Sequence, residues 1–264
     1  MELKKVNYKA EDGIAVIGMN YPKNLNAIDV EMADDLIKVV EEVEKDPAVK
    51  VAVLKSDGKA FSAGGDIGYF YQLIQAGGDV NMDDLIARVG IVADGIKKSS
   101  KMWISSVNGA AAGAGVSLAL AGDFMIAADN AFLMLAFVNL GLVPDTGAAY
   151  LLTKMIGTAK TMDMAATGRR MMADEMKAEG LAYKVVPVAD LEAETMKFAK
   201  KLAAGPLVSY KNIKKQIYAA AYSDYKDWLD NVEGPTQHEC AGTMDFQEGC
   251  KAFIEKRKAN FEGK

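Results

Sequence analysis

Three stretches of this chain carry residues whose types and spacing suit chemistry. The first is Val107-Asn108-Gly109-Ala110-Ala111-Ala112-Gly113-Ala114-Gly115-Val116-Ser117-Leu118, a run of small residues between two apolar segments. Ile104 to Val107 reads as a short buried strand, and Gly115 to Ala121 as a helix whose first turn bears almost no side chains. The first N–H groups of a helix have no internal partner and lie at the positive end of the aligned peptide dipoles, so an oxygen anion is stabilised there. Small residues let such a ligand reach the backbone, but they equally allow tight packing of helix on strand. No Gly-Lys-Ser/Thr follows, as a Walker A loop requires, and the glycine spacing is not that of a dinucleotide site.

The second stretch, Lys59-Ala60-Phe61-Ser62-Ala63-Gly64-Gly65-Asp66-Ile67, is another small-residue loop after a strand-like segment, so the two loops could converge. The third, Asn139-Leu140-Gly141-Leu142-Val143-Pro144-Asp145-Thr146-Gly147, sets Asp145 among apolar neighbours before a helix from Ala148 to Ile156. Asp145 or Thr146 there can be an ordinary helix cap. The chemical alternative for Asp145 is a general base in an apolar setting. His238 is the lone histidine, which excludes a multi-histidine metal site, and it reads as a helix-surface or interface residue. Cys240 and Cys250 lack metal-ligand spacing and read as reduced thiols.

These stretches need elements to position them. Ile14 to Met19 is a strand, and Tyr21 to Ala27 a loop of turn formers. Met32, Leu36, Val39, Val40 and Val43 have helical spacing, with Asp29 as N-cap and Asp46-Pro47 as the stop. Val49 to Leu54 is a strand ending at the turn Ser56-Asp57-Gly58. Tyr69, Phe70, Tyr71 and Leu73 are core packing or the wall of an apolar pocket, and Gly77-Gly78-Asp79 reads as a break. A helix over Leu85 to Ile96 and strands at Phe124 to Ala127 and Ala131 to Met134 continue the alternation to about Pro187. This implies an α/β core with parallel pairing. Beyond Asp190 the pattern is almost wholly helical: Leu191 to Leu202, Leu207 to Ala221, Tyr225 to about Val232 and Phe246 to Lys258. Gly205-Pro206 and Gly234-Pro235 read as breaks. The cations of the last run, Lys251, Lys256, Arg257 and Lys258, fit either a solvated helix end or a phosphate contact.

With 264 residues, half of them hydrophobic and a quarter charged, the chain can bury a full core and matches neither a disordered nor a membrane composition. No apolar run of about 18 residues occurs, and Met1-Glu2-Leu3-Lys4-Lys5 lacks a signal core, so the expectation is a cytoplasmic protein with no membrane partner. The net charge of −5 argues against a nucleic-acid partner.

Taken together, Phe61-Ser62-Ala63-Gly64-Gly65-Asp66, Val107-Asn108-Gly109 with Gly113-Ala114-Gly115, Gly141 to Gly147 and the tail Ala252 to Phe261 resemble the crotonase (enoyl-CoA hydratase/isomerase) family. The resemblance runs in order over nearly the whole chain and includes Lys23-Asn24-Leu25-Asn26-Ala27 and the segment from Thr167-Gly168 to Glu179-Gly180-Leu181. It implies an α/β spiral of ββα units over residues 1–188 and a C-terminal helical region at 189–264 that builds homotrimers, commonly paired into homohexamers. The implied substrate is a coenzyme A thioester, with no metal and no prosthetic group. As an enolate develops, the thioester oxygen would take two backbone N–H bonds, here from Ala63 and Ala114. Such a donor, placed where charge appears, is worth about 2.7–4 kcal/mol.

The same resemblance puts Lys23, Ala27, Asp66, Ile67, Phe253 and Lys256 in contact with coenzyme A, the last two on a tail that reaches a neighbouring subunit. Tyr69, Phe70, Leu73, Ser117, Phe137 and Leu142 would form the acyl pocket. Hydratases of the family use two glutamates, and this chain has Ser117 and Phe137 at those places. Asp145 instead falls where isomerase members are similar in carrying a catalytic acid. These include double-bond-shifting enoyl-CoA isomerases and the oxepin-forming isomerase of phenylacetate breakdown. One carboxylate suffices to take a proton from one carbon and return it to another. Leu142, Val143 and Phe137 would disfavour its charged form and raise its pKa. The expectation is an enoyl-CoA isomerase with Asp145 as base and acid. The alternatives are a hydratase in which Asp145 activates water and a catalytically silent CoA-binding subunit. Hydrolysis through Ser117 would lack an activating base.

Overall fold

The computed structural model describes residues 1–77 and 82–264, so Gly78 and Asp79 of the expected break lie outside the described residues. Strands β1 (Val6–Glu11) and β2 (Ile14–Met19) form a hairpin. Its turn is Asp12-Gly13, both residues at positive φ, the Asp-Gly pair favoured in a two-residue hairpin loop. Helix α1 (Val30–Lys45) leads to β3 (Val51–Ser56), then α2 (Ile67–Gln75) and α3 (Asp83–Lys98) lead to β4 (Met102–Val107). Strand β5 (Ala110–Ala112) and helix α4 (Ala114–Ala121) precede β6 (Phe124–Ala128) and β7 (Phe132–Met134). Helices α5 (Ala148–Ile156) and α6 (Thr158–Thr167), strand β8 (Arg170–Met172), helix α7 (Ala173–Ala178) and strand β9 (Lys184–Val186) follow.

The larger sheet has the order β1-β2-β3-β4-β6-β9, and the smaller one β5-β7-β8. Parallel pairing holds from β2 to β9, as the alternation of strands and helices requires, but β1 is antiparallel because a two-residue turn cannot make a crossover. Val51 to Leu54 of the central β3 are all buried, which is why that strand reads as a continuous apolar run. One face of the sheet packs on α1 and α3, with Leu36, Val39, Val92 and Ile96 in the shared core. The other face packs on α8 (Leu191–Ala203) through Leu191, Ala199 and Leu202 against Val51, Val53, Ile104 and Ile126. Asp29 caps α1 as expected, its carboxylate accepting the Met32 N–H at 3.0 Å.

The C-terminal helices continue with α9 (Leu207–Ala221), α10 (Tyr225–Trp228), α11 (Gly234–Ala241) and α12 (Met244–Glu255). The Gly205-Pro206 break separates α8 from α9 as expected. Gly234-Pro235 does not break the chain. A π-helical turn, Leu229–Glu233, joins α10 directly to α11. The Gly234 N–H donates to Leu229 O, five residues back, so the helix runs through the dipeptide, and the wide π turn is where Pro235, which has no N–H to give, is accommodated. Among the described residues, no helix is long and apolar enough to cross a membrane.

Candidate active site

The two small-residue loops meet. The Phe61 N–H donates to Asn108 O at 2.8 Å, Ser62 N–H to Ala110 O at 3.0 Å, and Ala112 N–H to Ser62 O at 2.9 Å. Two glycines allow this approach. Gly64 is at φ +89°, and a Cβ there would lie 2.8 Å from Ala112 O; one on Gly115 would lie 2.9 Å from Ser62 O. A third segment is laced to the pair by Asn26, which is wholly buried. Its side-chain N–H groups donate to Asp57 O and Ala60 O at 2.9 and 3.0 Å, and its Oδ1 accepts the Tyr21 N–H at 2.7 Å. In the sequence Asn26 reads only as one turn former among several.

The structure corrects one expected donor. The Ala63 N–H is already committed to Leu25 O at 2.9 Å, so an incoming oxygen would have to break that bond to use it. Gly65, two residues on, lines the adjacent cavity, and its N–H has no partner among the described residues. Ala114 also lines the cavity and is the first residue of α4, where an N–H has no acceptor within the helix. Gly65 with Ala114, rather than Ala63 with Ala114, is the pair of open amides.

The cavity, about 70 Å³, has walls formed largely by Ile28, Ile67, Phe70, Val89, Phe137, Leu140 and Leu142, with Asp145 among them. Asp145 does not cap α5. The N-cap position is Gly147, and the Asp145 carboxylate turns away to accept from Gln237 Nε2 at 3.0 Å through Oδ2. Its Oδ1 is buried with no hydrogen-bond partner among the described residues. Burial raises the Asp145 pKa to about 7, with smaller lowering contributions from the Gln237 and Thr146 side chains.

Of the expected acyl-pocket residues, Phe70, Phe137 and Leu142 line this cavity, and Tyr69, Leu73 and Ser117 do not. Consecutive positions of α2 point in different directions. Phe70 faces inward, 6.4 Å edge-on from Phe246 of α12, whereas Tyr69 is 38% exposed. Ser117 is wholly buried behind the loop. It accepts from the Thr146 hydroxyl at 2.6 Å and donates to Asp145 O at 3.2 Å. Exposed His238 pairs instead with Asp83 at 3.0 Å, so no imidazole activates Ser117.

Of the residues expected at coenzyme A, Ile67 lines the cavity. Asp66 caps α2, accepting from Tyr69 N–H at 3.3 Å, and also accepts from Asn24 at 2.8 Å. Lys23 is exposed in a 3₁₀ turn, Pro22–Asn24, beside buried Ala27. Phe253 and Lys256 are exposed at the end of α12 and do not line the cavity. Arg257 of the basic tail is engaged by Glu248 and Glu255.

Sequence reasoning missed two residues. Glu233 is 3% exposed, and its two carboxylate oxygens accept the Gly147 N–H at 3.1 and 2.9 Å. Burial, followed by the charge of Asp145, pushes its pKa up to about 9. Gln237, one helical turn on, is wholly buried, and its Oε1 accepts the Val143 N–H at 3.2 Å.

Among the described residues, the cavity lining combines two residues with open backbone amides and one carboxyl, groups able to polarise a carbonyl and to move a proton beside it. Residues 9–264 match the enoyl-CoA hydratase/isomerase family, and the chain belongs to it, as an enzyme of the crotonase superfamily. It is 32% identical to the trans-2-decenoyl-[acyl-carrier-protein] isomerase of Streptococcus mutans, with all of both chains covered. It is 33% identical to the 1,2-epoxyphenylacetyl-CoA isomerase of Escherichia coli, over 96% of this chain and 97% of that one. The crystal structure of an enoyl-CoA hydratase from Mycobacterium avium subsp. paratuberculosis K-10 superposes with a TM-score of 0.90 at 32% identity, covering 99% of this chain and all of that one.

Proposed function

We propose that the protein is an enoyl-thioester isomerase that shifts a carbon–carbon double bond by moving one proton through Asp145. The observation that carries this reading is that, among the described residues, Asp145 is the single carboxyl at the cavity wall, buried and poised near neutral pH, while Ser117 and Phe137 stand at the sequence positions of a hydratase's two glutamates. Asp145 takes a proton from C2 of a 3-enoyl thioester. The C–H electron pair becomes the C1–C2 bond of an enolate, whose charge rests on the thioester oxygen under the Gly65 and Ala114 N–H groups. When that charge returns to reform the carbonyl, the C1–C2 pair moves to C2–C3 and the C3–C4 pair takes the proton back from Asp145 at C4. The same carboxyl is base and then acid, and no water is consumed.

The acyl carrier is coenzyme A in this reading, with Lys23, Ala27, Asp66 and Ile67 beside it. The name of the Streptococcus mutans relative favours a second carrier, acyl carrier protein, which presents the same kind of thioester. Both are tested by offering 3-enoyl thioesters of each and following the gain of conjugated-thioester absorbance, with crotonyl-CoA supplied separately. The expected result is conjugation of a 3-enoyl substrate and persistence of crotonyl-CoA. Loss of crotonyl-CoA absorbance without isomerisation would make the protein a hydratase, and binding without turnover would make it a silent subunit.

A further inference from the structure

The π-helical turn and α11, which run on as one helix, present two buried polar side chains one turn apart, Glu233 from the first and Gln237 from the second, to the loop that carries Asp145. Gln237 bridges that loop, accepting from the Val143 N–H at 3.2 Å and donating to Asp145 Oδ2 at 3.0 Å. The first bond fixes which way the amide faces, because the Val143 N–H needs the carbonyl end and so leaves the NH₂ end for the carboxylate. Glu233 holds the other end of the loop at the Gly147 N–H. Between them Thr146 is kept at φ +55°, a sparsely populated conformation for a β-branched residue. The loop is thus gripped at residues 143, 145 and 147 by one face of one helix. Gln237 is the donor to Asp145 Oδ2, and Oδ1 is buried with no hydrogen-bond partner among the described residues.

We propose that Gln237 is a positioning residue for the proton-transferring carboxyl. It occupies Oδ2, so that transfer runs through the unpartnered Oδ1, while Glu233 keeps the loop in the conformation that allows this. The proposal rests on Asp145 being the base. Gln237 lines no part of the cavity and acts only through Asp145. Other titratable or charged groups near the clamp are Tyr225, whose buried hydroxyl lies where a Cβ on Gly147 would fall, Asp83 and Asp94 from α3, and Lys226, Asp230 and His238 around the Glu233 side.

The test is the pH profile of kcat/KM for isomerisation in Gln237→Met, which keeps the bulk and removes the donor. A carboxylate that loses this donor becomes a stronger base, so the acidic limb should move up by about one pH unit. At neutral pH kcat should fall about tenfold or more, with KM within about threefold. Glu233→Gln, which keeps an acceptor for the Gly147 N–H, should retain most activity at neutral pH, whereas Glu233→Leu should lower kcat. If Gln237→Met does not fold, Gln237→Asn, one methylene too short to span both partners, reads the same limb. A role confined to stability would lower the melting temperature and leave the limb in place, and that result overturns the proposal. Asp145→Asn is assayed in parallel. If it stays active, the base assignment fails and takes the proposal with it; if it is inactive while the Gln237→Met limb is unmoved, the positioning role alone fails.

Discussion

Asp145 stabilises the folded chain only while it is neutral. An ordinary aspartate titrates at 3.8, and in the fold this one titrates at about 7. Its raised folded pKa contributes stability that is fully present below about pH 4 and is lost as pH rises through about 7, roughly 4 kcal/mol in all. Asp145→Asn should therefore melt close to wild type at pH 4 and progressively above it toward pH 8, read by thermal denaturation across that range. A melting difference that does not change with pH would show that Asp145 carries no such penalty. At this scale the sequence reveals the carboxyl and its apolar neighbours, because Leu142, Val143 and Phe137 are near it in the chain. It does not reveal the amide that is open. Ala63 and Gly65 look alike as small loop residues, and only the bond from the Ala63 N–H to Leu25 O separates them.

Helix boundaries were legible wherever a cap or a periodic apolar face marks them, as at Asp29 or in α5, which starts and ends at the expected residues. They were not legible at Gly234-Pro235, where the helix runs through a dipeptide that reads as a break. That one misreading hid both Glu233 and Gln237. Helix α9 raises a different matter. Its single buried residue is Lys214, whose ammonium donates to Ile96 O, Lys101 O and Asp123, the last at 3.0 Å. Val208 at 76% exposure, Ile213 at 46% and Ile217 at 56% are apolar side chains of this helix left open to solvent. A helix held to the core largely by polar contacts, those of Lys214 and of Tyr218, whose hydroxyl donates to Asp123 at 2.6 Å, while apolar side chains face water, has the character of an interface element. Assembly through this C-terminal region, expected as a trimer or a pair of trimers, should give a native mass three or six times that of the chain by light scattering, and Ile217→Lys should lower it. A monomeric mass would remove the assembly from the account.

Across the whole molecule, residues far apart in sequence share the cavity. Gly65 precedes α2, Ala114 begins α4 and Asp145 precedes α5, while Gln237, outside the cavity, reaches Asp145 from a helix some ninety residues later. The parallel sheet brings the first two loops side by side, and the C-terminal helices close over the third. The α/β class and the helical C-terminal part could be read from pattern alone. The contact of α11 with the Asp145 loop could not, since nothing local in either segment refers to the other. What unites these parts is the claim that one buried carboxyl handles the proton while two backbone amides hold the charge. Turnover of a 3-enoyl thioester by Asp145→Asn tests it most directly. The loss of a general acid–base group predicts a fall in kcat of about a hundredfold to ten-thousandfold with the fold intact, and near-normal turnover would contradict the account.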